Sequence, residues 1–288
     1  MTAVFGANQP APAAMLATSA TQTSTRDGIY PNRRIVAAII HGVRMPPISS
    51  LPLALALTLA SAQVHPACTA RSGSERPHLV ELYTSEGCDS CPPAERWMSS
   101  LLKHPDLIGL EFHVDYWDGS DWRDPFSDHA YTARQQALAK RGNHDQIYTP
   151  QIWLDGRVWQ NWPKGSPPAP VEGSPPTLQI SAEPGSPLRV QVDAQVGRDA
   201  ADYRVFAALS ENSLSEHVRG GENRGKTLNH DTVVRALAGP FDLPHAAFEL
   251  KIPARVELAR ASIVAFVQSE RDGSIVQATR LSLGECEK

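Results

Sequence analysis

The spacing of hydrophobic and polar positions changes along this chain, and the change divides it. His78–Tyr83 (HLVELY) is apolar and rich in strand formers, which predicts a buried strand. Thr84–Gly87 reads as a turn. Ala94, Trp97, Met98, Leu101 and Leu102 then recur at i, i+3, i+4, i+7 and i+8, one face of a helix. Pro92 and Pro93 fall in its first turn, where a missing N–H costs little, and Pro105 ends it. Leu107–Asp115 (LIGLEFHVD) predicts a second strand, Tyr116–Asp128 a loop dense in Trp and Asp, and Ala130–Lys140 a second helix. Ile152–Leu154 and Val158–Gln160 flank Asp155-Gly156, a hairpin signal. The first half therefore reads β-α-β-α-β-β.

Residues 163–176 (PKGSPPAPVEGSPP) hold six prolines among Gly and Ser, which no regular element accommodates, so they mark a boundary. Beyond them Leu188, Val190, Val192, Ala194 and Val196 step by two. Ile263–Val267 and Ile275–Leu283 flank Arg271-Asp272-Gly273, a second hairpin signal. Strands at Thr177–Ala182, Asp202–Ser210 and Phe248–Ile252 complete a set expected of an antiparallel sandwich.

Residues 1–75 have neither period. Leu51–Ala60 (LPLALALTLA) follows Arg44 and precedes Ala60-Ser61-Ala62, a small-x-small cleavage pattern that would leave Gln63 first. The apolar run is too short to span a bilayer. It predicts a signal peptide with translation from Met45, residues 1–44 being a disordered extension. Arg33-Arg34 as a twin-arginine signal and Cys68 as a lipid-attachment site are weaker readings. A periplasmic or secreted protein is expected, with no stable membrane insertion after cleavage. The net charge of −4 and the lack of any basic block interleaved with aromatics argue against a nucleic-acid partner.

Export permits disulfides, and Cys68, Cys88, Cys91 and Cys286 allow three pairings. Cys88–Cys91 is the local pair, which leaves Cys68–Cys286 to join the ends as a structural bridge. Cys88 and Cys91 sit at a predicted helix N-terminus, where unpaired N–H groups and the helix dipole stabilise a thiolate. Cys88 is then the exposed nucleophile and Cys91 the resolving thiol, with Asp89 partly opposing ionisation. A four-residue loop makes a poor staple. A structural zinc site needs four ligands, so no metal and no cofactor is assigned. A copper site using Cys88, Cys91 and His113 is the metal alternative. The C-x-x-C after the first strand of β-α-β-α-β-β suggests a thioredoxin-like fold. Tyr148-Thr149-Pro150-Gln151 stands where such folds place a cis-proline loop.

Four motifs in order, ELYTSEGCDSCPPAE, FHVDYWDGSDWRDPF, TARQ (Thr132–Gln135) and YTPQIWLDG, resemble the bacterial secreted thioredoxin-like proteins of domain-of-unknown-function family 1223. RGGENRGKTLNHDTVVRAL (Arg219–Leu237) is similar to that family's C-terminal region, so the resemblance spans roughly residues 77 to 283. It implies Pro150 packed across the disulfide and the Thr149 backbone pairing with an extended substrate. His113 and Trp117, with Asp115 and Trp122, are candidates to line the cleft; the plainer reading is that the tryptophans pack a long loop. The Asp115–Asp128 acids depart from calcium-loop spacing. His217, Glu222, His230 and Asp231 include metal-ligand types, but three nearby glycines favour a polar loop.

The expected architecture is an α/β thioredoxin-like domain (76–162), a Pro-rich linker (163–176) and an all-β antiparallel sandwich-like domain (177–288). The expected function is thiol–disulfide exchange with a protein or small-thiol partner. A non-enzymatic binding module with a fixed disulfide and a copper-handling protein are the alternatives.

Overall fold

The computed structural model describes residues 68–286 apart from 163, 165–168, 170–173, 184 and 198. Residues 1–67 of the expected signal peptide and extension, and most of the expected linker, lie outside the described residues. The first half runs β1 (Cys68–Arg71), β2 (His78–Thr84), α1 (Pro92–Leu101), β3 (Leu107–His113), α2 (His129–Arg141), β4 (Gln151–Leu154) and β5 (Arg157–Val158). The second half is all strand: β6 (Thr177–Glu183), β7 (Leu188–Gln195), β8 (Tyr203–Glu211), β9 (Leu214–His217), β10 (Thr227–His230), β11 (Val233–Phe241), β12 (His245–Leu250), β13 (Ala261–Ser269) and β14 (Ile275–Ser282).

These strands overturn the expected fold class. An α/β thioredoxin-like domain followed by a separate sandwich would keep the halves in different sheets. Instead, one mixed sheet of 8 strands runs β14-β13-β8-β11-β3-β2-β4-β5 through both halves. Among the described residues only α1 and α2 are α-helical against 14 strands, so the protein is mostly β. The join is β11. It pairs antiparallel with β8 from Val233↔Glu211 to Phe241↔Val205, and Val233 meets Glu111 of β3 in a parallel bridge. Beside it β2 and β3 pair in parallel from His78↔Leu107 to Thr84↔His113. A second sheet, β1-β6-β7-β12, packs on the β8–β13–β14 end.

Alternation along each strand assigns the two faces of the large sheet. Leu79, Glu81 and Tyr83 of β2 and Leu110 and Phe112 of β3 face α2, together with Phe206 and Phe266 from the second half. The other face carries Val80 and Leu82 against Ala94, Met98 and Leu101 of α1. Farther along, Leu209, Ile263 and Val267 meet Leu178, Ile180 and Val190 of the second sheet. That face thus has two covers, and the gap between them holds the polar groups described below. The two hairpin turns also lock the halves: Ile275 N–H donates to Asp155 O (3.0 Å), and a Cβ on Gly156 (φ +79°) would collide with the carbonyl of Gly273. Among the described residues no helix is long and apolar enough to cross a membrane.

At the entry to β2, His78 Nδ1 lies 2.5 Å from Asp155 Oδ2 and its Nε2 2.9 Å from Ala169 O. Both nitrogens face acceptors, and the Asp155 hydrogen bond raises the imidazole above its ordinary pKa despite burial. A raised folded-state pKa adds stability that is fully present below the unfolded value and lost as pH climbs through the folded value. Urea titrations should therefore show the advantage of wild type over His78→Gln largest below about pH 6.5 and shrinking above it. An advantage constant up to about pH 9 would remove the charge-assisted pairing.

Candidate functional site

The cysteine pair sits at the turn between β2 and α1. Cys91 is the N-cap residue of α1, Pro92 and Pro93 fill the next two positions, and Cys88 bridges to Cys91 with Cα atoms 5.5 Å apart. Both cysteines are 0% exposed, so Cys88 is not the exposed sulfur that its position before the helix suggested. The cover comes from the second half. The connection between β9 and β10, Val218–Lys226, lies as a strap across the turn. Asn223 Nδ2 donates to Glu86 O (2.9 Å) and Cys88 O (2.8 Å), and Glu222 N–H donates to Gly87 O (3.1 Å). In return Asp89 N–H donates to Glu222 Oε2 (3.1 Å). The approach requires glycine: a Cβ on Gly220 would collide with the backbone of Asp121, and Gly221 (φ +63°) lies against Gly87 Cα.

Beneath turn and strap is a polar chamber closed to solvent. Glu111 and His113, two apart on β3, share the face that looks toward α1. Glu95 enters from the first turn of α1, His230 from β10, Glu86 from the turn and Asp124 from the following loop. All six are 0–2% exposed. His113 Nδ1 is 2.7 Å from Asp124 Oδ2, while Nε2 has no partner. His230 lies between two carboxylates, Nε2 3.1 Å from Glu86 Oε1 and Nδ1 3.3 Å from Glu95 Oε2. Burial opposes its imidazolium, but the hydrogen bond to Glu86 and the close Glu95 carboxylate prevail and hold it up at about 11. Glu95 also accepts from Thr84 Oγ1 (2.5 Å), and its carboxyl stays below the ordinary value because the His230 contacts outweigh burial. Burial pushes Glu86 up and Glu111 far up. Neither oxygen of Glu111 has a hydrogen-bond partner.

The remaining residues singled out from the sequence divide between rim and chamber. Trp117 Cβ touches the position a Gly87 side chain would take, and Trp117 Nε1 donates to Thr149 Oγ1 (2.7 Å). Trp117 thus ties the cysteine turn to the Thr149-Pro150 loop, whose peptide bond is cis. His113 lies on the chamber floor rather than on a cleft rim. Cys68 is bridged to Cys286 against the sandwich core. Glu222 and His230, read as part of a polar loop, instead hold the strap and close the chamber. Glu86, Glu95, Glu111 and the role of Asp124 were missed. The available signal was Glu111 and His113 in LIGLEFH, a charged residue and a histidine on one face of an otherwise apolar strand. A separate cleft of about 750 Å³ beside Pro176, Val196 and Tyr203 has tyrosine as its only titratable lining among the described residues.

The model of the family described as "Protein of unknown function (DUF1223)" matches residues 79–268, which include the cysteine turn, the chamber and the strap. The chain belongs to that family. The DUF1223 match crosses the boundary that the Pro-rich segment suggested, in keeping with one sheet shared by both halves. No curated protein matches the chain. Two solved structures are similar to it in fold. A crystal structure of an Agrobacterium tumefaciens protein is 22% identical, with a TM-score of 0.50, over 74% of this chain and 96% of that one. HBP35 of Porphyromonas gingivalis is 13% identical, with a TM-score of 0.53, over 73% of this chain and 76% of that one.

Proposed function

We propose that this DUF1223 chain is an exported thiol–disulfide oxidoreductase whose cysteine couple, Cys88–Cys91, is opened by movement of the Val218–Lys226 strap. The observation that carries this reading is a four-residue disulfide loop at the N-terminus of α1, covered by a separately anchored segment. So short a loop removes little entropy from the unfolded chain, so stability alone does not account for it. In the exchange, a partner thiolate attacks Cys88 Sγ and Cys91 leaves as a thiolate. A second partner thiolate attacks its own sulfur in the mixed disulfide, and Cys88 leaves. The partner dithiol becomes a disulfide, and the Cys88–Cys91 pair takes up two electrons and two protons; the reverse sequence oxidises the pair. The helix dipole favours the thiolates, while Asp89 opposes them.

Peptide-mapped alkylation in glutathione and dithiothreitol buffers gives the potential of this pair apart from Cys68–Cys286. A value between about −120 and −270 mV is expected. Asn223→Ala deletes two strap hydrogen bonds worth about 1–3 kcal/mol together, so reduction should run roughly 5- to 150-fold faster. Burial of both sulfurs favours a second reading, a fixed bridge in a non-enzymatic binding module. A potential well below about −300 mV, with no acceleration in Asn223→Ala, would establish that reading instead.

A further inference from the structure

We propose that Glu111, His113 and His230 form a binding site for a divalent first-row transition-metal ion of the zinc or iron class, with Glu86 and Glu95 beside it. One donor atom from each of the three lies within 4.8 Å of the others, the spacing that one ion can bridge. Four independent features point into this space. His113 Nε2 is buried and unpartnered while Asp124 accepts from its Nδ1–H at 2.7 Å. With Nδ1 turned to that carboxylate, Nε2 is the ring atom left to meet an ion, the carboxylate–histidine arrangement that orients metal-binding imidazoles. Glu111 buries both carboxylate oxygens with no hydrogen bond. Glu86 Oε2 is also buried and unpartnered. Lastly, the donors come from elements far apart in the chain, β3 and β10, held by the paired strap.

Buried polar atoms without partners are rare and costly, and an ion is one of the few occupants that satisfies several together. Water could donate to Glu111, but one ion would meet His113 Nε2 and both Glu111 oxygens together. The donor set selects the ion. Two imidazoles and a carboxylate suit zinc or ferrous iron, whereas magnesium and calcium prefer oxygen alone and Cu(I) prefers sulfur. The cysteines take no part, since both are in the disulfide.

The test uses oxidised full-length protein, so that no thiolate competes and the outcome is independent of the redox reading. Because the chamber is closed, the chain is unfolded in urea and refolded with Zn²⁺, Co²⁺ or, anaerobically, Fe²⁺, then dialysed and analysed for bound metal. One equivalent retained is expected, with a rise in Tm and, for Co²⁺, visible ligand-field absorption. Glu111→Gln should fold at least as stably without metal, because it removes a buried carboxylate, yet lose the retained metal and the Tm rise. Asp124→Asn should bind about 10–100-fold more weakly. No retained metal in the wild type, or retention unchanged in Glu111→Gln, overturns the site.

Discussion

Arg134→Met is expected to destabilise the protein by about 3–5 kcal/mol, because it strands a buried carboxylate. Arg134 on α2 reaches under the sheet to Glu81 of β2 with two parallel bonds, Nε to Oε2 at 2.6 Å and Nη2 to Oε1 at 2.9 Å. Glu81 also accepts from the hydroxyl of Tyr83 (3.0 Å), and Arg134 Nη1 donates to Gln268 (3.3 Å) on β13. The guanidinium lies 4.9 Å from the ring centroid of Phe206 and 4.8 Å from that of Phe266. One side chain therefore connects α2 and β2 of the first half to β8 and β13 of the second. The ion pair as a whole contributes far less than the cost of breaking it, since both charges gave up water. A Glu81→Leu/Arg134→Met double variant should thus recover most of the loss. Urea denaturation of the four proteins in the cycle measures this. A double variant as unstable as the sum of the singles would mean that Arg134 acts through packing on the aromatic rings, not through Glu81.

The same arginine shows what was legible in the sequence. The β-α-β-α-β-β order of the first half could be read because its signals are local: alternation in HLVELY, the apolar helical face from Ala94 to Leu102, and prolines at helix ends. The joining of the halves could not. It depends on β11, whose Val233–Phe241 contains Gly239-Pro240, residues that argue against a central strand. Its register against β8 also slips twice, between Val234 and Ala236 and between Ala238 and Phe241, so its period is broken. Without β11 the Pro-rich run looked like a border between domains, and the α/β expectation followed. The strap strands β9 and β10 are only 4 residues each and show no periodicity long enough to register.

At the site, the cysteine pair was legible from spacing, and Trp117 stands against its turn and bonds to Thr149. The chamber was not legible, because its acids come one at a time from β3, α1, the turn and a loop. Each is ordinary in its own segment, and only the tertiary fold makes them a cluster. Glu111 and His113 are the exception. A buried strand with two polar side chains on one face has to meet something polar on the far side, and that something is His230, 117 residues on from His113.

Removing the other disulfide, by Cys68→Ala with Cys286→Ala, is expected to cost about 2–5 kcal/mol while leaving the Cys88–Cys91 potential unchanged. The bridge spans a sequence separation of 218, so it closes most of the described chain into one loop and strongly restricts the unfolded ensemble. It also ties β1, which among the described residues is an edge strand paired only with β6 (Cys68↔Ala182 to Arg71↔Gln179), to the turn after β14. Urea denaturation under non-reducing conditions should show a lower midpoint. It should also show a steeper dependence on denaturant, because the unfolded chain without the bridge is more expanded and exposes more surface. A lower midpoint with an unchanged slope would locate the effect in the folded state, as fraying of β1 from β6. The potential should not move, because Cys68 and Cys286 pack against the sandwich core, whereas Cys88 and Cys91 stand between α1 and the strap. Two bridges in one chain would then act independently, the long loop for stability and the short loop with little share in it.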